Sequence, residues 1–435
     1  MAFPKSTTAR VQPDPGLTKL LIFETHPIQY RAPVFQSLAQ HHPQLKVYFF
    51  DESFNANRWW FHEVGKNSFP DWQANYREGY ESETLGLARL SPWRRLRKLA
   101  KVIRTEKPSH LLIYGYYLPE HWMLFALAKR YSLKIIFVGE TFSEGHSPLR
   151  RLAKKILLKA FFKGVDTFIA IGSKTSDHYQ RLGIPLSKIV QAKYCVDTNL
   201  FESSVAETIP IRKAIRTSLG IGEEAFVLLY VGRLFERKRP LDLVEIHRRL
   251  LAKHPIHTIV VGTGDLSNDL RHRAQSLEHF HMVGFKDQAE LKKYYYASDI
   301  IVIPSQYETW GLVINEAFSC GLPAIVTNQC GAAHDLVQHE TTGMVYPVGD
   351  TERAAWYVRE LIENPLLRRT MGKAAQRLVT TEYRPDTFAE KILGILRQDS
   401  PLVSAMPKDT QPPQKSFKTA TQNSKAVSDA PAKTD

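Results

Sequence analysis

Two carboxylates with seven residues between them occupy a glycine-containing segment in the second half of the chain. In PSQYETWGLVINEAFSCGLPAIVT (304–327), an apolar run is followed by Glu308, and a predicted helix beginning near Gly311 contains Glu316. A carboxylate accepts two hydrogen bonds at once, which suits a vicinal diol such as ribose. The alternative for Glu308 is a charge that the helix dipole favours. The first N–H groups of this helix would suit an anion, and they belong to Gly311, Leu312 and Val313.

A basic segment, VGRLFERKRP (231–240), follows another apolar run. Gly232 ends the predicted strand, and Arg233 and Lys238 come before the next helix. Arg can form two hydrogen bonds to phosphate oxygens and Lys acts as a point charge, so the pair suits a diphosphate. Taken alone, the segment is more readily explained as a solvated basic turn.

A third segment, VVGTGD (260–265), also lies at the end of a predicted strand. Gly262 and Gly264 would let the backbone approach a ligand closely. An isolated pair of glycines at this spacing more often marks an ordinary turn.

Short apolar runs alternate with helix-length amphipathic segments through the chain and predict the elements that position these residues. Such runs are typical of buried parallel strands covered by helices on both faces. In the first half they lie at 20–23, 47–50, 110–114, 134–138 and 167–171, and in the second half at 226–232, 257–262, 299–305 and 323–327. Two series predict two Rossmann-like domains, with ligands beyond the C-terminal ends of the strands.

The predicted organisation has five parts. We expect a disordered N-terminus at 1–16, a first Rossmann-like domain at 17–205, a second at 213–380, a C-terminal helix at 381–397 and a disordered tail at 398–435. The tail is rich in Ser, Thr, Lys, Gln and Pro, a composition that buries too little apolar surface to offset the entropy of ordering.

The composition favours an anionic partner. The chain has 435 residues and a net charge of +14, from 58 Lys and Arg against 44 Asp and Glu. Two stretches, 89–107 and 149–163, mix cations with Trp, Leu, Ile and Phe, which is typical of an amphipathic helix on an anionic bilayer. The alternative is a helix with its cations in water. No nucleic-acid-binding module is recognisable.

Other classes of protein are disfavoured. No apolar run approaches the roughly 20 residues of a membrane-spanning helix. The 3 cysteines form no CxxC pair, which argues against structural zinc and a disulfide framework. The N-terminal residues carry no apolar secretion signal, so we expect a cytoplasmic protein, with peripheral attachment to the inner face of the plasma membrane as a further candidate.

The order of the motifs resembles the C-terminal domain of family 4 retaining glycosyltransferases of the GT-B fold. VGRL with a following Lys, VGTG, PSxxExxGxxxxEAxxxGLP, NQCGAAHDLV and TGMVYPVGD occur in this order between about 226 and 350. The resemblance implies that Arg233 and Lys238 hold the donor diphosphate, Glu316 the nucleotide ribose and Glu308 the transferred sugar. It also implies that the backbone at 311–313 closes on phosphate and sugar. By the same resemblance, 17–205 is the acceptor-side domain, 213–380 is the nucleotide-sugar-binding domain, and the helix at 381–397 crosses back to the first domain. This chain has Arg239 where the family usually has Gly, and Asp335 where a Glu is common.

The resemblance is thinner in the first half. THPIQYRAPVFQSLA (25–39) is similar to the opening of some bacterial members, which places four residues on the acceptor side of the cleft: His26, Gln29, Tyr30 and Arg31. Loop and packing roles are the alternative for His26 and Tyr30. Glu140 and His146, in GETFSEGH (139–146), are the other candidates to face the cleft.

The resulting hypothesis is a retaining glycosyltransferase that takes a nucleotide-diphosphate sugar as donor and a glycan or lipid-linked molecule as acceptor. No Asp-x-Asp element stands at a strand end in a donor-binding position, so we expect neither a metal nor any other cofactor. A nucleotide-sugar epimerase of GT-B fold is one alternative, and it would convert the donor without an acceptor. A non-catalytic polyanion- or membrane-binding protein is the other, and it would need neither Glu308 nor Lys238.

Overall fold

The structure, a computed structural model, describes residues 18–52, 76–139, 157–251 and 253–399. Several sequence predictions concern residues outside these ranges. They are the disordered N-terminus at 1–16, the candidates Glu140 and His146, residues 149–156 of the basic stretch, and the tail from residue 400 onward.

The first half of the chain builds a seven-stranded parallel sheet. Its order is β3-β2-β1-β4-β5-β6-β7. The strands are β1 (Leu20–Glu24), β2 (Leu45–Phe49), β3 (Ser82–Thr84), β4 (His110–Tyr114), β5 (Lys134–Gly139), β6 (Thr167–Ala170) and β7 (Ile189–Gln191). The α-helices are α1 (Ala32–His41), α2 (Pro92–Glu106), α3 (Pro119–Arg130) and α4 (Ser173–Arg181). Residues 157–162 are also helical.

The second half builds a six-stranded parallel sheet of order β10-β9-β8-β11-β12-β13. The strands are β8 (Phe226–Val231), β9 (Ile256–Val261), β10 (Phe280–Gly284), β11 (Ile300–Ile303), β12 (Ala324–Thr327) and β13 (Gly343–Tyr346). The α-helices are α5 (Val205–Ser218), α6 (Asp242–Leu251), α7 (Ser267–Ala274), α8 (Gln288–Ala297), α9 (Leu312–Ser319), α10 (Thr351–Glu363), α11 (Pro365–Glu382) and α12 (Pro385–Gln398). The predicted fold of two parallel-sheet α/β domains is confirmed.

The sequence did not predict four of the strands, and all four lie at the edges of the two sheets: β3, β7, β10 and β13. An edge strand has a neighbour on one side only, so fewer of its side chains need to be apolar. β3 and β7 are three residues long and have no fully buried residue, so neither produces an apolar run. β13 is mostly buried but begins at Gly343, where a Cβ would overlap the carbonyl oxygen of Ala324 on β12.

The last helix joins the two halves. α12 packs against α1 of the first half. Asp399, just beyond the end of α12, forms an ion pair with Lys134 and a hydrogen bond of 3.1 Å with His110 Nε2, an imidazole whose pKa burial lowers. Lys193 forms a further ion pair with Glu382 at the end of α11. These contacts hold the C-terminal helices on the first sheet.

The segment 197–216, where the apolar rhythm lapses, contains most of α5. A capping box closes the start of this helix, with Ser204 and Glu207 each bonding the other's backbone N–H. Arg216, buried near the end of α5, donates to the Asp299 carboxylate at 2.9 Å beside β11. α5 also packs against α8, so it belongs to the second half. No helix within the described ranges is both long and apolar enough to span a membrane.

Two helical glycines provide a matched test of this packing. A Cβ at Gly372 in α11 would overlap the backbone carbonyl of Gly321, whereas a Cβ at Gly394 in α12 would meet nothing within 4 Å. We expect Gly372→Ala to destabilise the fold by about 1–3 kcal/mol through overpacking. Gly394→Ala should stabilise it by about 0.5–1 kcal/mol, since Ala loses less backbone entropy in a helix. Urea denaturation midpoints of the two variants check this, and equal midpoints would contradict the packing described.

Candidate functional site

The loops after β8 and β9 pack backbone against backbone. A Cβ at Gly262 would overlap the carbonyl oxygen of Gly232, and one at Gly264 would lie 2.6 Å from the carbonyl oxygen of Leu234. Gly232 N–H donates to the Val261 carbonyl at 3.0 Å. Gly262 and Gly264 are therefore required because the loop after β9 lies directly against the loop after β8. Donor binding by Gly232, Gly262 and Gly264 stays a prediction.

The two predicted phosphate-binding cations lie in the loop after β8 but in different surroundings. The Arg233 guanidinium lies 5.5 Å from the ring centroid of Phe235, and partial burial lowers the pKa of Arg233. Lys238 ends a short 3₁₀ turn, Glu236–Lys238. The next residue, Arg239, has a left-handed backbone with φ of +49°, a conformation that glycine adopts without strain. Its guanidinium forms two hydrogen bonds to Asp242, at 2.8 and 3.0 Å.

Lys238 and Glu308 form an ion pair across two loops. The two side chains are 17% and 14% exposed, so both charges are partly withdrawn from water. Backbone hydrogen bonds fix the loop of Glu308 on both sides: Gln306 N–H donates to the Arg237 carbonyl at 2.8 Å, and Gly331 N–H donates to the Glu308 carbonyl at 2.9 Å. The structure thus brings together two residues that are 70 positions apart.

The helix predicted to begin near Gly311 is α9. Gly311 is its N-cap and has a left-handed backbone with φ of +101°, and Glu308 lies before the helix. Leu312 and Val313 occupy the first turn, where a helix has no internal acceptor for backbone N–H groups. Glycine is needed at this cap for its backbone, and the sulfur of Cys330 would lie 3.2 Å from an added Cβ.

Glu316 lies inside α9 and is 5% exposed. Its carboxylate accepts a hydrogen bond of 2.7 Å from the hydroxyl of Tyr295, which α8 supplies. Burial raises the pKa of Glu316 to about 7, and the Tyr295 hydrogen bond partly opposes the shift. Sequence reasoning missed Tyr295, which lies within a Tyr-Tyr-Tyr run and carries no signal that would distinguish it from its neighbours.

In the first half of the chain, the Arg31 side chain contacts two other residues of the protein. Its guanidinium forms an ion pair with Glu24 at the end of β1, and both residues are more than 90% buried. The same guanidinium lies 3.8 Å from the ring centroid of Tyr114. Glu24 is the last residue of a fully buried strand, and a carboxylate directly after an apolar run is the only sequence feature that could have pointed to it. The acceptor-side role predicted for Arg31 stays a prediction, and Glu24 is the partner that sequence reasoning missed.

The other acceptor-side candidates lie close to Arg31 in the same loop. His26 Nδ1 lies 2.8 Å from the Thr25 hydroxyl, and burial lowers the pKa of His26 to about 4. The Tyr30 ring packs edge-on against Tyr194, with 5.7 Å between centroids. The Gln29 amide oxygen accepts a hydrogen bond from the Tyr76 hydroxyl at 3.4 Å. At neutral pH His26 is therefore an uncharged group, and the acceptor-side roles of these three residues stay predictions.

The strand-end loops of the two sheets contact each other. Asp335, which follows β12, accepts hydrogen bonds from the backbone N–H and hydroxyl of Ser173 at 2.9 and 3.0 Å. Ser173 is the first residue of α4, so a carboxylate of the second half caps a helix of the first half, where the helix dipole favours it. Lys174 extends the contact by donating to the Asn328 carbonyl at 3.3 Å.

Within the described ranges, no group of three or more His, Cys, Asp or Glu side chains is arranged to hold a metal ion. The arrangement at the ends of β8 and β11 consists instead of cations, a helix N-terminus and two carboxylates in different environments. Cations and helix N–H groups bind phosphate, and carboxylates bind hydroxyl groups. These residue types suit a phosphorylated, hydroxyl-rich ligand, and donor binding by them stays a prediction.

Comparisons with known proteins agree with this chemistry. The family model for glycosyl transferases group 1 matches residues 211–378. An uncharacterized glycosyltransferase of Methanocaldococcus jannaschii is 30% identical over 186 residues, which are 42% of this chain and 47% of that protein. A GDP-mannose-dependent alpha-(1-6)-phosphatidylinositol monomannoside mannosyltransferase of Mycobacterium tuberculosis is 28% identical over 257 residues, which are 56% of this chain and 64% of that protein. The chain thus spans less than two thirds of these curated relatives.

The likeness to solved structures extends over both halves. The crystal structure of HepE from Anabaena in complex with UDP superposes with a TM-score of 0.67 at 18% identity, covering 87% of this chain and all of that one. At this identity the likeness shows the fold. Residues 211–378 thus match the glycosyl transferases group 1 family model, and the chain as a whole has the GT-B fold.

Proposed function

We propose that the protein is a retaining, metal-independent glycosyltransferase. It moves a sugar from a nucleotide-diphosphate sugar to a glycan or lipid-linked acceptor, in the synthesis of cell-surface polysaccharide or glycolipid. The observation that carries this proposal is the pairing of Lys238 with Glu308 beside α9, which also holds the buried Glu316. The relatives give further support, since one is named as GDP-mannose-dependent and HepE was crystallised with UDP and with UDP-glucose.

In the proposed complex each part of the donor meets one of these groups. The diphosphate takes Lys238 and Arg233 as counter-ions and the N-terminus of α9 as a source of N–H donors. Glu316 accepts hydrogen bonds from the ribose hydroxyls. Glu308 accepts from the hydroxyls of the transferred sugar, and its ion pair with Lys238 holds the carboxylate beside the phosphate-binding charge before the donor arrives.

Retention of configuration requires the acceptor to attack from the face that the diphosphate leaves, or to react through a covalent intermediate. We favour same-face attack through an ion-pair transition state with oxocarbenium character, in which the departing diphosphate takes the proton of the acceptor hydroxyl. The C–O bond to the diphosphate breaks as the new glycosidic bond forms. The protein then contributes positioning and stabilisation of the phosphate charge that develops.

The two carboxylates should separate in their effects. Nucleotide sugars are first screened for a shift in melting temperature, and the best donor is assayed with and without acceptors. Glu308→Gln should lower turnover more than nucleotide affinity, whereas Glu316→Gln should weaken nucleotide binding first. Lys238→Ala should lower turnover by roughly 10²–10³-fold, comparable with the loss of one donor to a developing oxyanion. Unchanged turnover in Glu308→Gln together with unchanged affinity in Glu316→Gln would contradict the assignment, and conversion of the donor alone to an epimer would favour an epimerase.

Donor affinity should depend on pH through Glu316. Its pKa of about 7 in the free protein means that a proton competes with the ribose hydroxyls for the carboxylate below that pH. Affinity for the nucleotide sugar should therefore fall as pH drops below 7, approaching tenfold per pH unit. The diphosphate diester of the donor does not titrate in this range. Calorimetric titrations from pH 5.5 to 8 measure the effect. Glu316→Gln is the control and should bind weakly with a flat profile, so an equally steep profile in this variant would assign the proton elsewhere.

Turnover should survive chelation. Arg233, Lys238 and the N-terminus of α9 supply positive charge to the leaving diphosphate, and the proposal requires no cation. We expect the initial rate in excess EDTA to equal the untreated rate. A complete loss of rate that manganese restores would refute metal independence.

The surface of α2 supports attachment to an anionic membrane. Trp93 is 61% exposed, and the Arg97 guanidinium lies 5.4 Å from its ring centroid. Arg94, Lys101 and Arg104 are exposed on the same helix, while Leu99 and Ile103 pack into the core. A tryptophan within a row of cations suits the interface of an anionic bilayer, where each cation contributes on the order of 1 kcal/mol.

Charge reversal on α2 tests this surface. The protein should sediment with vesicles that contain phosphatidylserine and should be released as salt rises, since the screening length shortens. Arg97→Glu with Lys101→Glu should abolish sedimentation. Arg369→Glu with Lys373→Glu, an exposed pair at the same spacing on α11, is the control and should retain it. Equal binding of the wild-type protein to neutral vesicles would exclude an electrostatic attachment.

A further inference from the structure

Trp310 occupies the middle of the loop between Glu308 and α9 and is only 3% exposed. Its ring reaches the first half of the chain, since a Cβ added at Gly172 would lie 2.5 Å from Trp310 Cζ3. The rings of Tyr194 and Tyr383 also lie near it, each with its centroid 6.1 Å from that of Trp310. The side chain beside the sugar-binding carboxylate is therefore packed against residues outside the donor site.

A buried polar chain runs through the same residue. The indole Nε1 of Trp310 donates to the Asn315 side-chain oxygen at 2.8 Å, and the Asn315 amide donates to the Tyr194 carbonyl at 2.9 Å. Asn315 is completely buried and precedes Glu316 in α9. Buried hydrogen bonds of this kind fix geometry, because an unmatched donor or acceptor costs about 1–3 kcal/mol. Trp310 thus connects the loop of Glu308, the helix of Glu316 and the segment after β7.

The turn at Gly172 is shaped to receive this ring. Its φ of −176° is extended backbone that any residue adopts, so the glycine is not required for its conformation. The requirement is space, because an added Cβ would also lie 2.7 Å from the carboxylate of Asp335, which caps α4 at Ser173. The Gly172–Ser173 turn is therefore held between Trp310 and Asp335, two residues of the second half.

We propose that Trp310 is a positioning residue: contact between its ring and the Gly172–Ser173 turn orients the loop that carries Glu308. The donor sugar is then aligned for transfer only when the two halves are in contact at this turn. The inference rests on the proposed function, since it assigns Trp310 to the alignment of the sugar and not to the binding of the nucleotide. Misplacing a reacting group by about 1 Å costs up to 10²-fold in rate.

Three variants test the inference, with Trp356→Phe as the matched control on the exposed face of α10. Trp310→Phe removes the Nε1 donor and the outer ring, and Gly172→Ala forces the turn and the ring apart without changing any residue of the donor loop. Each should lower kcat about tenfold and leave the dissociation constant of the nucleoside diphosphate within twofold of the wild-type value. The double variant should lose no more than the more impaired single variant, because both changes break one contact. Trp356→Phe should equal the wild-type protein.

The outcomes separate this inference from the proposed function. Wild-type kcat in both single variants, additive losses in the double variant, or parallel losses in kcat and nucleotide affinity would each overturn the positioning role. If Trp310→Phe does not fold, Gly172→Ala decides. A wild-type protein that turns over no nucleotide sugar would refute the proposed function instead. The inference would then be decided by binding. Trp310→Phe must lower the affinity for the nucleotide sugar but not for the nucleoside diphosphate. A nucleotide-sugar affinity equal to that of the wild-type protein would overturn the inference.

Discussion

The ion pair between Lys238 and Glu308 connects the loop after β8 with the loop after β11. It brings a cation suited to phosphate next to a carboxylate suited to a sugar, at the edge where the parallel strands end. The pair is partly buried, so removing either partner would leave a charge with reduced solvation. The backbone bonds from Gln306 to Arg237 and from Gly331 to Glu308 fix the same geometry independently of the charges. In the proposed reaction a second anion, the diphosphate, joins Lys238, and the cation then serves both groups.

The two carboxylates of this region differ because their surroundings differ. Glu308 faces a cation in a loop, whereas Glu316 is enclosed by α9 and α8 with one hydroxyl partner. Burial without a counter-ion favours the protonated form of Glu316 in the free protein, and hydroxyl donors from a ligand would favour the charged form. Two identical side chains in one segment are thus suited to different tasks: Glu308, paired with a cation, to orienting a sugar, and Glu316 to binding a diol.

The fold was predictable from the sequence to the extent that burial is continuous along the strands. β1, β4, β8 and β9 are buried throughout, and each appears as an apolar run. The edge strands lack this signal. The helix that begins after Gly311 was predictable from local chemistry, since a glycine cap and a following apolar stretch are adjacent in sequence. Tyr295, Glu24 and Gly172 acquire their roles through contacts with residues brought near only by folding, and no local pattern encodes such contacts.

The central claim is that Lys238 holds phosphate while Glu316 holds ribose, and the free energy of each contact can be measured separately. Isothermal titration of the wild-type protein with a nucleoside and with its diphosphate gives the gain in affinity due to the phosphates. The account predicts that Lys238→Ala abolishes most of this gain with nucleoside affinity unchanged. Glu316→Gln should lower both affinities equally and preserve the gain. A full phosphate gain in Lys238→Ala would contradict the account.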